Sequence, residues 1–211
     1  MKTKYTVEGI TFIVSAPSGT GKTTTCRMLQ ERMPDLKFSI SHTTRSPRDG
    51  EKEGKDYFFI SENEFKEKIA QGAFLEWAKV HNQYYGTAQE TITRHRKNGD
   101  NIILDLDVQG VESLRKMNFS GIFVFILPPS LKELTRRLRN RGTENEDSFQ
   151  KRIAVGKNEI KKYSMYDFVL TNSNVEDTVQ KIISIIEAET CRVNRYRPTS
   201  PDLGALLNGK P

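Results

Sequence analysis

Four residues near the start of the chain, Gly19, Gly21, Lys22 and Thr23, have the types and the spacing needed to hold phosphate groups. The glycines permit backbone angles that other residues resist, so successive N–H groups can point into one concavity. Lys22 adds a positive charge within reach of the β- and γ-phosphates of a nucleotide, and the Thr23 hydroxyl can ligate Mg²⁺. These residues predict a loop that binds a nucleoside triphosphate.

The residues around this loop favour the local structure that it needs. The β-branched and aromatic run at 11–14 predicts a strand, a turn rich in Gly, Pro and Ser follows, and a helix is predicted from Lys22. Such a helix aims the positive end of its dipole at the phosphates. The pattern G-x-x-x-x-G-K-[ST] is met except at its first position, Ala16, which is compatible with a negative φ. The alternative is a glycine-rich turn that binds nothing.

A second polar stretch, residues 41–60, carries Arg45 and Arg48 among Ser and Thr residues. Two arginines three positions apart, beside hydroxyl groups, can form a fork for a phosphate. A solvated basic loop is the alternative interpretation of the same residues.

Three acidic residues lie where a substrate or metal ion could meet them. Asp105 and Asp107 end an apolar run that predicts a buried strand, at 101–107. Acids at the carboxyl end of a parallel strand beside a phosphate loop can act through Mg²⁺ or contact substrate, whereas helix capping or a loop salt bridge is the alternative. Glu76 lies in an apolar run at 73–80, so its carboxylate either points outward or accepts hydrogen bonds from a base.

The order of the remaining patterns predicts how these residues are positioned. Strands and helices alternate through 9–41, 91–133 and 159–197, which is typical of a parallel sheet flanked by helices. Residues 42–90 do not follow this alternation, so we predict a separate small lobe there. Further strands are predicted at 37–41, 57–59, 121–127 and 167–171, a turn at 82–86, and capping boxes at Ser61/Glu64, Thr87/Glu90 and Ser130/Glu133.

Residues 134–158 are predicted to form a helical lid. One helix buries Leu134 and Leu138 and carries several arginines on its other face, a polar loop follows at 143–147, and a second helix carries Arg152. Two arginine-bearing helices around a loop are typical of a lid that closes on phosphates. A solvated basic hairpin is the alternative.

The composition excludes several classes of protein. The apolar runs are too short to span a bilayer, and the first residues lack the apolar core of a secretion signal. The two cysteines indicate a reducing compartment, so we expect a cytoplasmic protein. The net charge of +6 suits polyanionic partners, but the chain contains no nucleic-acid-binding motif, so nucleotides are the expected ligands. Residues 198–211 are predicted to be a disordered tail.

In combination, these segments resemble the guanylate kinases over about residues 10–192. The resemblance rests on SAPSGTGKTT, TTRSPRDGEKEGKDYFFI, EWAKVHNQYYGT, ILDLDVQG and RLRNRGTE, which occur in the family's order. It implies an α/β fold of the P-loop NTPase type in a single domain, residues 1–197. Its parts would be a parallel-sheet core flanked by helices, an inserted mixed α/β lobe for GMP and a helical lid.

The resemblance also implies a role for each site residue. GMP would be held by Ser41, Arg45, Arg48, Tyr57 and Tyr85, and its guanine would be read by Glu76, Thr87 and Asp107. The transferring phosphoryl group would be surrounded by Lys22, Arg45, Arg141 and Arg152. Mg²⁺ would meet Thr23 and, through water, Asp105. ATP would contact Ala16, Pro17, Ser18, Gly19, Thr20, Gly21, Lys22, Thr23, Thr24 and, near its adenine, Asn172.

The implied activity is phosphorylation of GMP, and of dGMP, by ATP with Mg²⁺, with no nucleic-acid or membrane partner and with monomer or homodimer left open. Three alternatives remain: a scaffold domain that binds phosphorylated peptides, a kinase for another nucleoside monophosphate or a phosphorylated ribose, and a nucleic-acid-binding protein. The intact phosphate loop argues against a scaffold. The set of Ser41, Glu76 and Thr87 argues for guanine over other acceptors.

Overall fold

The structure, a computed structural model, describes residues 8–80, 82–140 and 146–196, together with Ser200 and Leu203. Three predictions therefore lie wholly or partly outside the described residues. They are the catalytic role of Arg141, the polar loop at 143–147, and the disordered tail at 198–211, apart from those two isolated positions. Of the predicted loop, Glu146 and Asp147 are described, and they belong to a helix.

A parallel five-stranded sheet forms the centre of the molecule. The first strand along the chain, β1 (Thr11–Ser15), lies in the middle of this sheet. Every residue of that middle strand is buried, which explains its apolar and β-branched composition. The other strands are β2 (Lys37–Phe38), β7 (Ile102–Leu106), β8 (Ile122–Leu127) and β9 (Phe168–Thr171). The strand order is β2-β7-β1-β8-β9.

Helices cover both faces of this sheet. On one face, Leu29 and Ile182 pack with Val14 in one apolar cluster, and on the other Ile92 and Leu114 pack with the opposite side of the strands in a second cluster. The first face is covered by α1 (Lys22–Arg32) and α7 (Val175–Thr190), and the second by α3 (Gln89–Asn98) and α4 (Val108–Lys116).

A second, mixed sheet is formed by β3 (His42–Thr43), β4 (Phe58–Phe59), β5 (Phe74–Val80) and β6 (Gln83–Ala88), in the order β4-β3-β6-β5. Its one helix among the described residues, α2 (Glu62–Ala70), begins at the predicted cap, where the Ser61 hydroxyl accepts from the Glu64 N–H at 3.2 Å. The buried ring of Phe65 on this helix stacks on Phe74 and Tyr84.

Two local predictions in this region are wrong. Residues 82–86 are not a turn, because all but Asn82 belong to β6, and Asn82 itself has the positive φ (64°) expected of a hairpin reversal. Thr87 does not cap α3, because its hydroxyl donates to Glu76 instead, and the helix begins after Ala88 with no side-chain cap. Pairing with β5 overrides the local capping signal, since it satisfies both the backbone of β6 and the Thr87 hydroxyl.

The predicted strand at 37–41 is shorter in the structure, where β2 covers only Lys37–Phe38 beside β7. The Ser39 N–H still donates to the carbonyl O of Ile103. The chain then turns out of the central sheet to begin the mixed sheet at His42, which ends the pairing.

Two helices, α5 (Leu131–Asn140) and α6 (Glu146–Ile160), form the region predicted as a lid. Leu134, Leu138 and Phe149 are buried between them. The predicted α/β architecture, a helix-flanked parallel sheet with a second mixed sheet, is confirmed. None of the helices in the described part of the chain has the length and apolar character needed to cross a membrane.

One histidine, His42, is expected to make the stability of the protein sensitive to pH. His42 is half-buried between the rings of Phe58 and Phe74, and its Nδ1 has no hydrogen-bond partner among the described residues. Burial lowers the pKa of His42 below its ordinary value of 6.5, and the nearby Lys68 lowers it further, against Glu64 and Glu53.

The unfolded chain therefore binds this proton more tightly than the folded chain does. As the pH falls through about 6.5, the His42 side chain becomes protonated first in the unfolded chain, which lowers the free energy of unfolding. We expect the free energy of unfolding to fall between pH 7.5 and pH 5.5, and to fall less in His42→Phe, which keeps an aromatic ring. Urea unfolding of both proteins at the two pH values measures this. An identical fall in the two proteins would contradict the assignment to His42.

Candidate active site

The predicted phosphate loop joins β1 to α1 at the carboxyl edge of the central sheet, in the expected strand–loop–helix context. Gly19 and Gly21 both have positive φ, 87° and 102°. A Cβ atom at Gly19 would lie 2.9 Å from Leu138 Cδ2, and one at Gly21 would lie 2.8 Å from Asn172 Nδ2. Backbone conformation and lack of space therefore both require glycine here. The first turn of α1 has no side-chain cap, so its N–H groups remain available to an anion.

Lys22 is held beside the loop by β7. Its Nζ donates to the carbonyl O of Leu106 at 2.6 Å and lies 2.5 Å from Asp105 Oδ1. Burial would lower the pKa of the Lys22 ammonium, but the Asp105 carboxylate raises it above its ordinary value. The ammonium is thus kept charged and pointed at the carboxyl edge of the sheet before any nucleotide arrives.

The donors present suit Mg²⁺ bound together with a nucleotide. Thr23 is exposed in the first turn of α1, and Asp105 is one-third exposed beside Lys22. A hydroxyl and a carboxylate are oxygen ligands of the kind that Mg²⁺ prefers. In the described part of the chain, no group of three or more His, Cys, Asp or Glu side chains could hold a metal ion. This pattern fits an ion that takes its other ligands from phosphates and water.

Glu76, Thr87 and Asp107 come together at the junction of the mixed sheet and α4. Glu76 on β5 is directly opposite Thr87 on β6, and the Thr87 hydroxyl donates to Glu76 Oε1 at 2.6 Å. Both side chains are buried. Asp107 is the N-cap of α4, and its Oδ1 accepts the Gly110 N–H at 2.8 Å. The capping alternative for Asp107 is therefore observed, and its Oδ2 makes no hydrogen bond with the described residues.

Gly110 was not predicted from the sequence as a site residue, although it determines how closely these acids approach. A Cβ atom at Gly110 would lie 2.7 Å from Glu76 Oε2 and 3.4 Å from Asp107 Oδ1. Any other residue would therefore push the Glu76 carboxylate away from α4. A glycine three residues after Asp107, close to the end of a predicted strand, is the signal that could have indicated its role.

The surroundings of Glu76 favour its protonated form. Burial raises the pKa of the Glu76 carboxyl to about 7, and the neighbouring Asp107 raises it as well, against the lowering effect of the Thr87 hydroxyl. A carboxyl group in this state can lose its proton near neutral pH when a donor from a ligand arrives.

Arg45 is fixed between a carboxylate and two aromatic rings. Its Nη2 donates to Glu51 Oε1 at 2.9 Å, and its Nη1 donates to the carbonyl O of Ser46 at 2.7 Å. The guanidinium carbon lies 5.4 Å from the Tyr57 ring centroid and 5.9 Å from that of Phe59. These contacts use few of its five N–H groups, so Arg45 keeps donors for a phosphate.

Glu51 links Arg45 to Arg48. Glu51 Oε1 accepts from the Arg45 guanidinium, and Glu51 Oε2 accepts from the backbone N–H of Arg48 at 2.8 Å. The Arg48 guanidinium itself makes no hydrogen bond or ion pair with the described residues. Tyr57 and Tyr85 lie edge to face at 6.1 Å. The structure thus brings four of the five residues predicted to hold GMP into one cluster, with Ser41 directly before β3. Glu51 was missed because an acid in a charged loop carries no specific signal.

A cleft of about 430 Å³ opens beside the phosphate loop. Arg137, which the sequence did not distinguish from its neighbours, points from α5 to this loop and donates from Nη1 to the carbonyl O of Thr20 at 2.9 Å. Arg152 lies on α6 and is half-buried. The cleft is lined by Gly19, Gly21, Thr24, Arg136, Arg137, Asn172, Ser173 and Val175.

Comparison with known proteins agrees with this geometry. The family model described as guanylate kinase matches residues 8–189. The guanylate kinase of Caldanaerobacter subterraneus subsp. tengcongensis is 47% identical over 90% of this chain and 92% of its own length. That of Geobacter metallireducens is 43% identical over 91% and 95%. The crystal structure of guanylate kinase from Anaplasma phagocytophilum superposes with a TM-score of 0.76 at 30% identity, covering 96% of this chain and 95% of that one. The chain therefore belongs to the guanylate kinase family.

Proposed function

We propose that the chain transfers the γ-phosphoryl group of ATP to GMP, producing ADP and GDP. The observation that carries this proposal is the convergence of Glu76, Thr87 and Asp107 around Gly110, next to the phosphate loop and the Arg45 cluster. It is supported by the family to which the chain belongs.

Guanine recognition follows from the hydrogen-bonding groups of the site. Guanine offers N1–H and N2–H₂ donors, which pair with the acceptor oxygens of Glu76 and Asp107. Its O6 accepts from a hydroxyl such as that of Thr87, whose proton turns from Glu76 to the base when GMP binds. Adenine presents the opposite pattern along this edge. An adenine in the site would not supply the Glu76 carboxylate with the donors that guanine offers, so AMP would be rejected.

The GMP phosphate is held by Arg45 and Arg48, with Ser41, Tyr57 and Tyr85 around it. Its second pKa is about 6, so a phosphate oxygen is already largely deprotonated near neutral pH. The attack on the γ-phosphorus therefore needs no general base. The work of the protein is to place the two phosphates in line and to neutralise charge.

Charge neutralisation comes from residues of the loop and the lid. Lys22 turns from Asp105 and the Leu106 carbonyl towards the β- and γ-phosphates, while Arg137 and Arg152 approach from the lid helices. Arg141, outside the described residues, is kept as a further proposed cation. When bound at Thr23 and near Asp105, Mg²⁺ would neutralise phosphate charge. Closure of residues 134–158 over the core, and of the GMP lobe at 42–90, excludes water and suppresses ATP hydrolysis.

The test of this function is ADP release from ATP and Mg²⁺, with GMP, dGMP, AMP, UMP, dTMP and a phosphorylated ribose supplied in separate reactions. We expect turnover with GMP and dGMP alone. Turnover with another acceptor, or tight GMP binding without turnover, would contradict the proposal. We also place the enzyme in the cytoplasm, in keeping with the free thiols of Cys26 and Cys191.

The raised pKa of Glu76 predicts that GMP affinity depends on pH. The ionised carboxylate is the form that accepts N1–H and N2–H₂, and with a pKa of about 7 its population decreases as the pH falls below 7. We therefore expect the Kd of GMP to rise by up to about tenfold per pH unit below this value. Isothermal titration of GMP between pH 6 and pH 8.5 measures this.

Glu76→Gln is the matched control, because it lacks the titrating group while it keeps the same size. The remaining pH dependence of this variant reports the GMP phosphate, which also titrates near pH 6. A wild-type Kd that follows the variant at every pH would exclude Glu76 as the titrating group.

A further inference from the structure

One carboxylate organises the loop that carries the arginine pair. This loop, residues 44–57, joins β3 to β4 without a helix, and its one strand-like contact is an isolated bridge between Glu53 and Tyr57. Its shape therefore depends on the hydrogen bonds that side chains make to it. Among the described residues, Glu51 is the side chain that bonds to both Arg45 and Arg48.

The two carboxylate oxygens of Glu51 have different partners. Oε1 accepts from Arg45 Nη2 at 2.9 Å, and Oε2 accepts from the Arg48 N–H at 2.8 Å. The backbone N–H of Glu51 donates in turn to the carbonyl O of Arg48 at 3.0 Å, which closes a tight turn. The side chains of Arg45 and Glu51 are each 15% exposed, so solvent screens this ion pair less than a pair at the surface. The Arg45 guanidinium is thus held at a fixed distance from the backbone of Arg48.

Both partners of Glu51 are donors, and this explains why a carboxylate lies here. A carboxylate supplies an acceptor oxygen for each of the two donors. A glutamine amide supplies one acceptor and one donor, so it could satisfy Arg45 or the Arg48 N–H but not both. An alanine would satisfy neither.

We propose that Glu51 is a positioning residue that sets the distance between the two arginines for the phosphate of GMP. It does not contact the nucleotide, because a carboxylate and a phosphate repel each other. It acts through Arg45, which keeps N–H groups for phosphate oxygens, and through the turn that carries Arg48. Donors that are already in place before GMP arrives lower the cost of ordering them on binding.

A carboxylate near a phosphate site also has an opposing effect. Its negative charge repels the GMP phosphate and partly neutralises Arg45, so on charge alone its removal would tighten GMP binding. Positioning predicts the reverse, because without Glu51 the Arg45 side chain and the turn at Arg48 are free to move apart. The sign of the change in GMP affinity therefore distinguishes the two effects.

Three variants and a second ligand separate these effects. Glu51→Ala removes the charge and both acceptors, whereas Glu51→Gln removes the charge and keeps one acceptor. The matched control is Asp49→Ala, since Asp49 is an exposed carboxylate on the same turn and makes no hydrogen bond with the described residues. The second ligand is guanosine, which has the base and the ribose of GMP but no phosphate.

Each protein, labelled with ¹⁵N, is titrated with GMP and separately with guanosine, and the chemical-shift changes give the two dissociation constants. Loss of hydrogen bonds to a charged group predicts that Glu51→Ala weakens GMP by about tenfold to thirtyfold and Glu51→Gln by about threefold to tenfold. Guanosine binding should be unchanged in both variants, and Asp49→Ala should bind GMP as the wild type does. The same spectra show whether each variant is folded.

Three results would overturn the proposal. One is unchanged or tighter GMP binding by Glu51→Gln, which decides the matter even if Glu51→Ala does not fold. Another is a loss of guanosine affinity as large as the loss of GMP affinity, since Glu51 would then maintain the lobe as a whole. The third is a wild type that binds guanosine as tightly as GMP, because the arginine pair would then not hold a phosphate.

The inference rests on the proposed function for its choice of GMP. A wild type that bound GMP more tightly than guanosine, but released no ADP from ATP in its presence, would contradict the proposed function. These binding comparisons would still decide the role of Glu51, because none of them requires turnover.

Discussion

Replacing Lys22 by alanine is expected to lower the rate of GDP formation by about 10³-fold, because it removes the charge aimed at the transferring phosphoryl group. GMP binding should change little, since the Arg45 cluster and Glu76 do not contact Lys22 through hydrogen bonds. The measurements are single-turnover kinetics with saturating ATP and GMP, and isothermal titration of GMP alone.

The Lys22→Ala experiment needs a check on folding, because the variant leaves Asp105 without its ion-pair partner. Lys22→Met keeps the length of the side chain and should lose activity to the same extent. Lys116→Ala, which removes an exposed lysine from the end of α4, should retain full activity. Near-normal turnover by a folded Lys22→Ala protein would remove Lys22 from the mechanism.

The second large effect is expected for Glu76→Gln. The preference for GMP over AMP, expressed as a ratio of kcat/KM values, should fall by about 100-fold or more, since the site no longer offers two acceptor oxygens to guanine. A glutamine presents one acceptor and one donor, which suits adenine better than a carboxylate does. Turnover with GMP and AMP in parallel reactions gives the ratio.

Stability should change far less than selectivity in this variant. The Thr87 hydroxyl can still donate to the amide oxygen of the substituted side chain, so the bond between β5 and β6 is kept. Glu67→Gln, on the exposed face of α2, is the control for loss of one carboxylate. If Glu76→Gln discriminated between GMP and AMP as the wild type does, Glu76 would not be the guanine-reading residue.

The phosphate loop was predictable from the sequence because its requirements are local. The strand, the two positive-φ glycines and the helix that follows lie in one continuous segment, from Thr11 to Arg32, and each is indicated by residue type alone. The same holds for the caps at Ser61 and Ser130, where a hydroxyl meets an N–H three residues later. Such contacts depend on neighbours in the chain and not on how distant elements pack.

The prediction of a capping box at Thr87 is wrong because the partner of Thr87 is distant in the sequence. Its local pattern is as good as that of Ser61, but β6 pairs with β5 and brings Glu76 within 2.6 Å of the hydroxyl. The long-range partner is a carboxyl acceptor in a buried place, so its bond is stronger than a bond to a helix N–H at the surface. A local preference for helix capping is overridden when a tertiary contact offers the side chain a stronger hydrogen-bond partner.

What the sequence by itself determined is the class of ligand and the set of residue types that meet it: a triphosphate loop, an arginine pair and acids beside a strand end. Only the tertiary structure decided which of them act together. It paired Lys22 with Asp105, singled out Arg137 among the arginines of α5, and showed Gly110 and Glu51 to be part of the site. These contacts join residues on different elements, and their distances follow from sheet register and helix packing, which no single stretch of sequence encodes.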